Sequence, residues 1–420
     1  MTPRLGSAPR QAELPAGWQL KRLKHVVRCL DGRRVPLNTL ERGAMQGDYP
    51  YWGANAIVDH VDRWLFDEEL ILLGEDGAPF FDKDKPVAFL VNGKIWVNNH
   101  THVLRPAPHV DARFLVHVLN VNDYSDFIEG STRDKLTQGK MREIPVPLPD
   151  LPEQRAIADF LDKKTAAIDA LIAKKERLLA LLDEKRQAVI TQAVTKGIGP
   201  PVPMKDSGVE WLESVPAHWC VERTKALFSE RQGRSTTGDE EMLTVSHLTG
   251  VTPRSEKTVY MTEAETTEGY KLVKKNDLAV NTMWAWMGAL GVAPCDGIVS
   301  PAYNVYVPRD PRGVRFHDLL VRTPAFVAEI NRWSKGIWKS RLRLYPTEFF
   351  QLMLPVPPPA ERERIVAHVA SSTAADRRLA DVALRSIELL REYRQALITA
   401  AVTGQLDVRS KQARAMEPAA

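Results

Sequence analysis

Two stretches of this chain carry side chains suited to reading a nucleic acid duplex, where cations hold phosphates and Arg, Lys, Asn or Gln make paired bonds to base edges. In the first they are Arg33 and Arg34, then Asn98 and Asn99 ahead of His100 and Thr101. Arg133, Lys135, Gln138 and Lys140 follow, in the loop after Gly130. In the second they are Arg231, Gln232 and Arg234, then Lys335, Lys339, Arg341 and Arg343 around Gly336, with the segment Asn281 to Trp286 between. Any one of these, taken alone, reads as a solvated surface residue. Recurrence singles out the two loops: Gly130, Leu136 and the Pro-Val-Pro at 145–147 are echoed by Gly336, Leu342 and the Pro-Val-Pro at 355–357, with basic residues inside both. Two heads that each position a phosphate backbone call for that arrangement. Trp284 and Trp286 read as packing residues.

Catalytic chemistry finds no support. An adenine methyltransferase needs an Asn/Asp-Pro-Pro-aromatic loop to grip a flipped base and a Gly-rich turn for its methyl donor, and neither string occurs. There is no GxxxxGK[ST] phosphate loop, and no Glu has Lys two residues later, as a Glu-x-Lys nuclease requires. His100, His102, His247 and His317 are scattered without metal-ligand spacing, and Cys29, Cys220 and Cys295 include no CxxC pair, so neither a metal site nor a disulfide framework is expected.

The elements that must position the loops are two long helices. Residues 152–196 carry a heptad seam at 161, 165, 168, 172, 175, 179, 182, 186, 189 and 193, apolar with polar gaps. At about 1.5 Å per residue this helix reaches roughly 65 Å, so an equally long partner must cover its stripe. The partner lies in the same chain. Each seam position recurs 208 residues later, from Val369 to Ala401, within a second helical stretch at 360–403, and RQAVITQAVT (186–195) returns as RQALITAAVT (394–403). Duplication is the simplest account. Pro15 and Trp18 likewise match Pro216 and Trp219, and these open each copy as structural markers.

The 420 residues exceed one ordinary core. The reading is a mixed α+β chain: an α/β domain at 14–143, a long helix region at 144–197, a Gly/Pro-rich linker at 198–214, a second α/β domain at 215–353, a second helix region at 354–407 and a polar tail at 408–420. Short strands are expected at 69–74, 87–91 and 94–99 and a helix near 112–122. A net charge of +4 permits a polyanionic partner without demanding one. With no apolar signal core near the N-terminus and no run of roughly 20 apolar residues, a cytoplasmic protein without membrane association is expected.

The order variable domain, PVPLPxLPEQRAI, helix ending ITQAVTKG, linker MKDSGVEWL with VPAHW, second variable domain and second helix ending ITAAVTG resembles the specificity subunit of type I DNA restriction-modification systems, over about residues 14–407. The resemblance implies two target recognition domains, each reading one half of an interrupted double-stranded DNA site, and two helices packed as an intramolecular antiparallel coiled coil that sets the spacer. It implies a non-catalytic subunit that binds no cofactor itself. Two modification (methyltransferase) subunits would bring S-adenosylmethionine, and restriction subunits would bring ATP and Mg. A stand-alone coiled-coil DNA-binding or scaffold protein is the alternative. The second helix opens with Glu361-Arg362-Glu363 where the first has Glu153-Gln154-Arg155, so the two helix starts are not expected to match. If the seam pairs about its own centre, Arg186 faces Asp376 as a buried ion pair.

Overall fold

The structure, a computed structural model, describes residues 11–130, 133–256, 266–338 and 341–409. The chain forms two compact units: one from the residues up to Glu176 together with those from Leu384 onward, the other from Arg177–Ala383. The two long helices are continuous, Leu151–Lys196 and Pro359–Val402, and each contributes to both units. The first begins where the Asp150 carboxylate accepts the N–H of Glu153 at 2.8 Å, satisfying a donor that has no partner in the first turn. Proline near both helix starts sits where its missing N–H costs nothing.

All the seam positions, in both helices, are buried or partly buried. Within the first unit, Leu161 and Ile168 share a core with Leu397, Ile398 and Ala401. Removing each such Leu or Ile from water contributes about 1.5–3 kcal/mol. Asp169 pairs with Arg394 at 2.8 Å and Glu176 with Arg391 at 3.1 Å, so one helix runs down as the other runs up. Within the second unit, Ile190 and Val194 share a core with Ile365 and Val369. The expected pairing of Arg186 with Asp376 is corrected here. Asp376 takes its bond from Lys185 at 3.0 Å, and Arg186 lies 3.6 Å from Asp183 of its own helix. The lysine's flexible stem reaches the acid from the seam's edge, whereas the guanidinium stays half-buried on its own side.

Each unit repeats one plan. In the first, Gln19–Arg22 pairs antiparallel with Pro145–Leu148; in the second, Cys220–Arg223 pairs with Met353–Val356. Beside these lie four-stranded antiparallel sheets of the same order: Val27–Cys29, Thr101–Pro106, Leu70–Gly74 and Ala88–Val91, against Phe228–Glu230, Asn304–Pro308, Leu278–Val280 and Leu290–Val292. Leu70 to Leu73 are wholly buried, as a continuous apolar run in a covered strand should be. A helix packs on each sheet, Ala112–Val121 in the first unit and Val314–Val321 in the second.

The Pro-x-x-Trp markers become the sockets in which the helices end. Gly404, just beyond the second helix, sits so that an added Cβ would lie 2.4 Å from Pro15 and 3.4 Å from the Trp18 ring; at Gly197, just beyond the first, a Cβ would lie the same 3.4 Å from the Trp219 ring. The two helix starts differ as the sequence indicated, yet do the same work. Buried Gln154 accepts the Asp111 N–H at 2.8 Å and donates to the Pro149 carbonyl, while buried Arg362, at the equivalent place, donates to the Asp310 carboxylate at 2.8 Å. An amide and a guanidinium each tie the helix start to the segment that precedes its own unit's packing helix.

Candidate nucleic-acid interface

The Gly130 loop is the narrow end of a hairpin in which Ile128 and Glu129 pair with Leu136 and Lys135. A side chain at Gly130 would place its Cβ 2.4 Å from the Arg133 carbonyl oxygen, at a φ of +112° that other residues avoid. The Gly336 loop is built alike: Lys335 and Arg343 exchange two backbone bonds of 2.9 Å, and a Cβ on Gly336 would lie 2.6 Å from the Arg341 carbonyl. The glycine therefore lets the backbone close a tight collar beneath each tip.

In the first unit a set of carboxylates stands behind the loop. Arg133 is exposed and pairs with Asp76 at 2.9 Å, and His100 approaches the same carboxylate at 3.2 Å. Lys135 is exposed and bridges to Asp76 through backbone. The Leu136 N–H donates to the Glu75 carbonyl and the Gly77 N–H to the Asp134 carbonyl, stitching the loop to residues 74–77. Gln138 donates to the Asp31 carboxylate at 3.3 Å and approaches the Cys29 sulfur. Lys140 lies 3.8 Å from Glu129. Arg34 faces inward, donating to Glu75 at 2.5 Å and to the Thr101 carbonyl at 2.8 Å, with the carbonyl of exposed Asn99 at its margin.

Arg33 points elsewhere. It lies over the Phe66 ring at 4.5 Å and donates to the Leu65 carbonyl at 2.8 Å. The Asn98 side chain accepts the His100 N–H at 2.8 Å, shaping its own turn. Arg34, Asn99, Arg133, Lys135 and Gln138 are thus drawn to one corner, whereas Arg33 lies toward Glu68.

The anchor of that corner is a buried group that sequence reasoning did not pick out. His102 is fully buried; its Nε2 donates to the Leu136 carbonyl at 2.8 Å and its Nδ1 faces the Asp31 carboxylate at 2.7 Å. Burial pushes the Asp31 carboxyl up, but the hydrogen bond and charge of His102, the Val103 N–H and Arg34 outweigh it and hold the group at about 2. Among the described residues, Asp31, Glu75 and His102 are the grouping with ligand-type atoms close enough for a metal ion. Their atoms are already taken by Arg34, Leu136 and one another, so the set fits a structural clamp rather than a cation. The signal was thin: Asp31 and Glu75 are single acids beside strand ends.

In the second unit Lys335 pairs with Glu348, Arg341 is exposed, and half-buried Arg343 donates to the Leu342 carbonyl at 2.8 Å. Lys339 lies outside the described residues. Arg231, Gln232 and Arg234 occupy another corner. Arg231 is held by Asp277 with bonds of 2.5 and 3.0 Å, Arg234 donates to the Gly269 carbonyl at 2.8 Å, and Gln232 is exposed. Trp286 donates to the Met283 carbonyl, while Trp284 is half exposed and stacked on His247 with ring centres 6.3 Å apart. No helix among the described residues is long and apolar enough to cross a membrane.

Comparison with known proteins bears on the first half of the chain most directly. The family described as type I restriction modification DNA specificity domain matches residues 15–180. A protein of Haemophilus influenzae described as a putative type I restriction enzyme specificity subunit is 36% identical over 146 residues, 35% of this chain and 37% of that protein. The type I restriction enzyme EcoDI specificity subunit of Escherichia coli is 27% identical over 184 residues, 43% of this chain and 39% of that protein. The matched stretches thus span less than two fifths of these two relatives' length. A chain solved in work on complex assembly and conformational transition of the type I R-M system superposes with a TM-score of 0.62 at 17% identity, covering 95% of this chain and 100% of that one, which is a likeness of fold.

Proposed function

We propose that this chain, whose residues 15–180 match the family described as type I restriction modification DNA specificity domain, is the DNA-reading specificity subunit of a restriction-modification complex. Each unit reads one half of an interrupted double-stranded site, and the long helices set the distance between the halves. The observation that carries the reading is the repetition of one scaffold under unlike surfaces. The same sheet order and the same glycine-collared basic loop occur in both units, while the residues at the tips differ. A scaffold reused for two targets needs that combination, since phosphate contacts place the protein and only the differing side chains distinguish bases.

The division of labour within the first corner follows from the contacts. Arg133, Lys135 and Asn99 are exposed and available to DNA, Lys140 flanks them, and Arg34 and Gln138 hold the loop's base to Asp31 and Glu75. In the second unit Arg341 faces solvent and Lys335 and Arg343 close the loop. Arg33, Asn98, Arg231, Gln232 and Arg234 are kept as further candidates for DNA contact, and Lys339, outside the described residues, as a candidate from sequence alone. Catalysis is assigned to partners: two modification subunits with S-adenosylmethionine, and restriction subunits with ATP and Mg, in the cytoplasm. This chain is proposed to hold none of these cofactors.

Methylome sequencing of a host with and without the gene is the direct test. The expected result is a set of modified adenines in a two-part motif that disappears with the gene; an unchanged methylome in a host that expresses the modification partner would count against the reading.

A further inference from the structure

We propose that the loop 335–343 is a base-step wedge: Ile337 and Trp338 enter a groove of duplex DNA and press apolar surface between or against neighbouring bases, while Arg341 and Arg343 engage the flanking phosphates. The inference rests on the specificity reading above and goes beyond it, because it assigns apolar side chains, not hydrogen-bonding ones, to recognition by the second unit.

Ile337 is 94% exposed and Trp338 is 69% exposed, side by side at the end of a loop pinched at its base. Single exposed apolar residues are commonplace, but a large adjacent pair on a held tip marks a contact surface. The described residues on either side of 339–340 are held. Lys335 and Arg343 bond across the stem, the Arg341 N–H donates to the Trp338 carbonyl at 2.7 Å, and the Leu344 N–H donates to the Thr282 carbonyl at 3.2 Å, tying the outgoing strand to the body of the unit.

Charge selects the occupant. The charged side chains described on the loop, Lys335, Arg341 and Arg343, are all cationic, and the acid that meets them, Glu348, is buried against Lys335. An apolar tip ringed by cations suits a polyanion with a stacked interior, and DNA-bending proteins use apolar wedges beside basic residues in this way. The corresponding loop of the first unit has Arg133, Asp134 and Lys135 near its tip and no large apolar residue among the described ones, so the two heads use different chemistry. Unstacking costs least at pyrimidine–purine steps, so the half-site read by the second unit is expected to contain one.

The test uses the chain assembled with its modification partner and a duplex carrying the motif found by methylome sequencing, with 2-aminopurine at the expected step. For the double variant Ile337→Ala, Trp338→Ala, specific binding weakens roughly 10- to 100-fold with an unchanged slope of affinity against salt, because no cation is lost. Trp338→Phe keeps most of the affinity, whereas Arg341→Gln lowers the salt slope by about one. The 2-aminopurine brightens on binding the wild type and stays dark with the double variant. Wild-type affinity in the double variant, with the probe dark throughout, overturns the wedge and leaves the specificity reading standing. Loss of co-purification with the modification partner, with the DNA signal intact, also overturns it in favour of a protein contact. If the wild-type assembly shows no sequence preference, the specificity reading fails first.

Discussion

At the scale of single residues, the buried clamp behind the Gly130 loop and the isolated His317 make opposite use of burial. The folded Asp31 carboxyl sits at about 2 against an ordinary 3.8, so the stability it supplies is present above pH 4 and is lost as pH falls from 3.8 toward 2. That difference corresponds to about 2 kcal/mol. Asp31→Asn removes the charge that faces buried His102, leaves Arg34 its bonds to Glu75 and the Thr101 carbonyl, and should cost roughly 3 kcal/mol at neutral pH, read by urea unfolding; an unchanged midpoint would mean that the clamp is dispensable. His317 is 2% exposed, its ring lies 5.2 Å from that of Phe228 at a tilt of 58°, and neither ring nitrogen has a hydrogen-bond partner among the described residues. Burial first, then the charge of Arg362, lowers it from 6.5 to about 4. Here the unfolded chain takes up the proton first, so stability drains away as pH falls from 6.5 to 4. His317→Phe should keep the neutral-pH stability and flatten that slope; a slope as steep as the wild type's would place the titration elsewhere. Neither role was legible in the sequence. Arg33 and Arg34 are neighbours of one type, and only the tight turn Asp31–Arg33 sends one to Phe66 and the other to Glu75.

At the scale of elements, the helices were legible because a heptad stripe repeated in register leaves little freedom: all the seam positions named from spacing are at least partly buried. What spacing could not give was the pairing across the seam, where Lys185 rather than Arg186 reaches Asp376. A difference of one residue is a rotation of about 100°, small enough for a long side chain to override. The strands expected at 69–74, 87–91 and 94–99 fall on Leu70–Gly74, Ala88–Val91 and Lys94–Val97, since β-branched and aromatic runs between Gly, Asp and Asn have few other solutions. The exposed Ile337–Trp338 tip carried no such signal, because two apolar residues in a row have no period to read. Under the proposed function, deleting one heptad from both helices should shorten the spacer in the methylated motif by several base pairs, at about 3.4 Å each, and leave both half-sites intact. Altered half-sites with an unchanged spacer would contradict it. Gly404→Ala would bring a Cβ to 2.4 Å from the Pro15 ring at a φ of +73° and should lower stability by about 1–2 kcal/mol, with a change in Trp18 fluorescence. Thermal melts and emission spectra check both.

At the scale of the whole molecule, a formal charge of +4 permits a polyanionic partner without demanding one, so under the proposed function binding is expected to rest on the local loops. Replacing residues 215–353 with the equivalent region of another such chain should therefore change one half of the motif and leave the other half and the spacer alone, as methylome sequencing would report. A final consequence lies in the two tryptophan sockets. The helix of each repeat ends on the opening marker of the other: Gly197 against Trp219, Gly404 against Trp18. In the first unit the segments Leu14 to Trp18 and Leu406 to Val408 share one hydrophobic core. Rejoining those segments with a short bridge and opening the backbone at 199–202, ahead of the strand Met204–Asp206 that pairs with Ser214–Pro216, is expected to yield a circularly permuted protein that keeps the strand pairing of each unit.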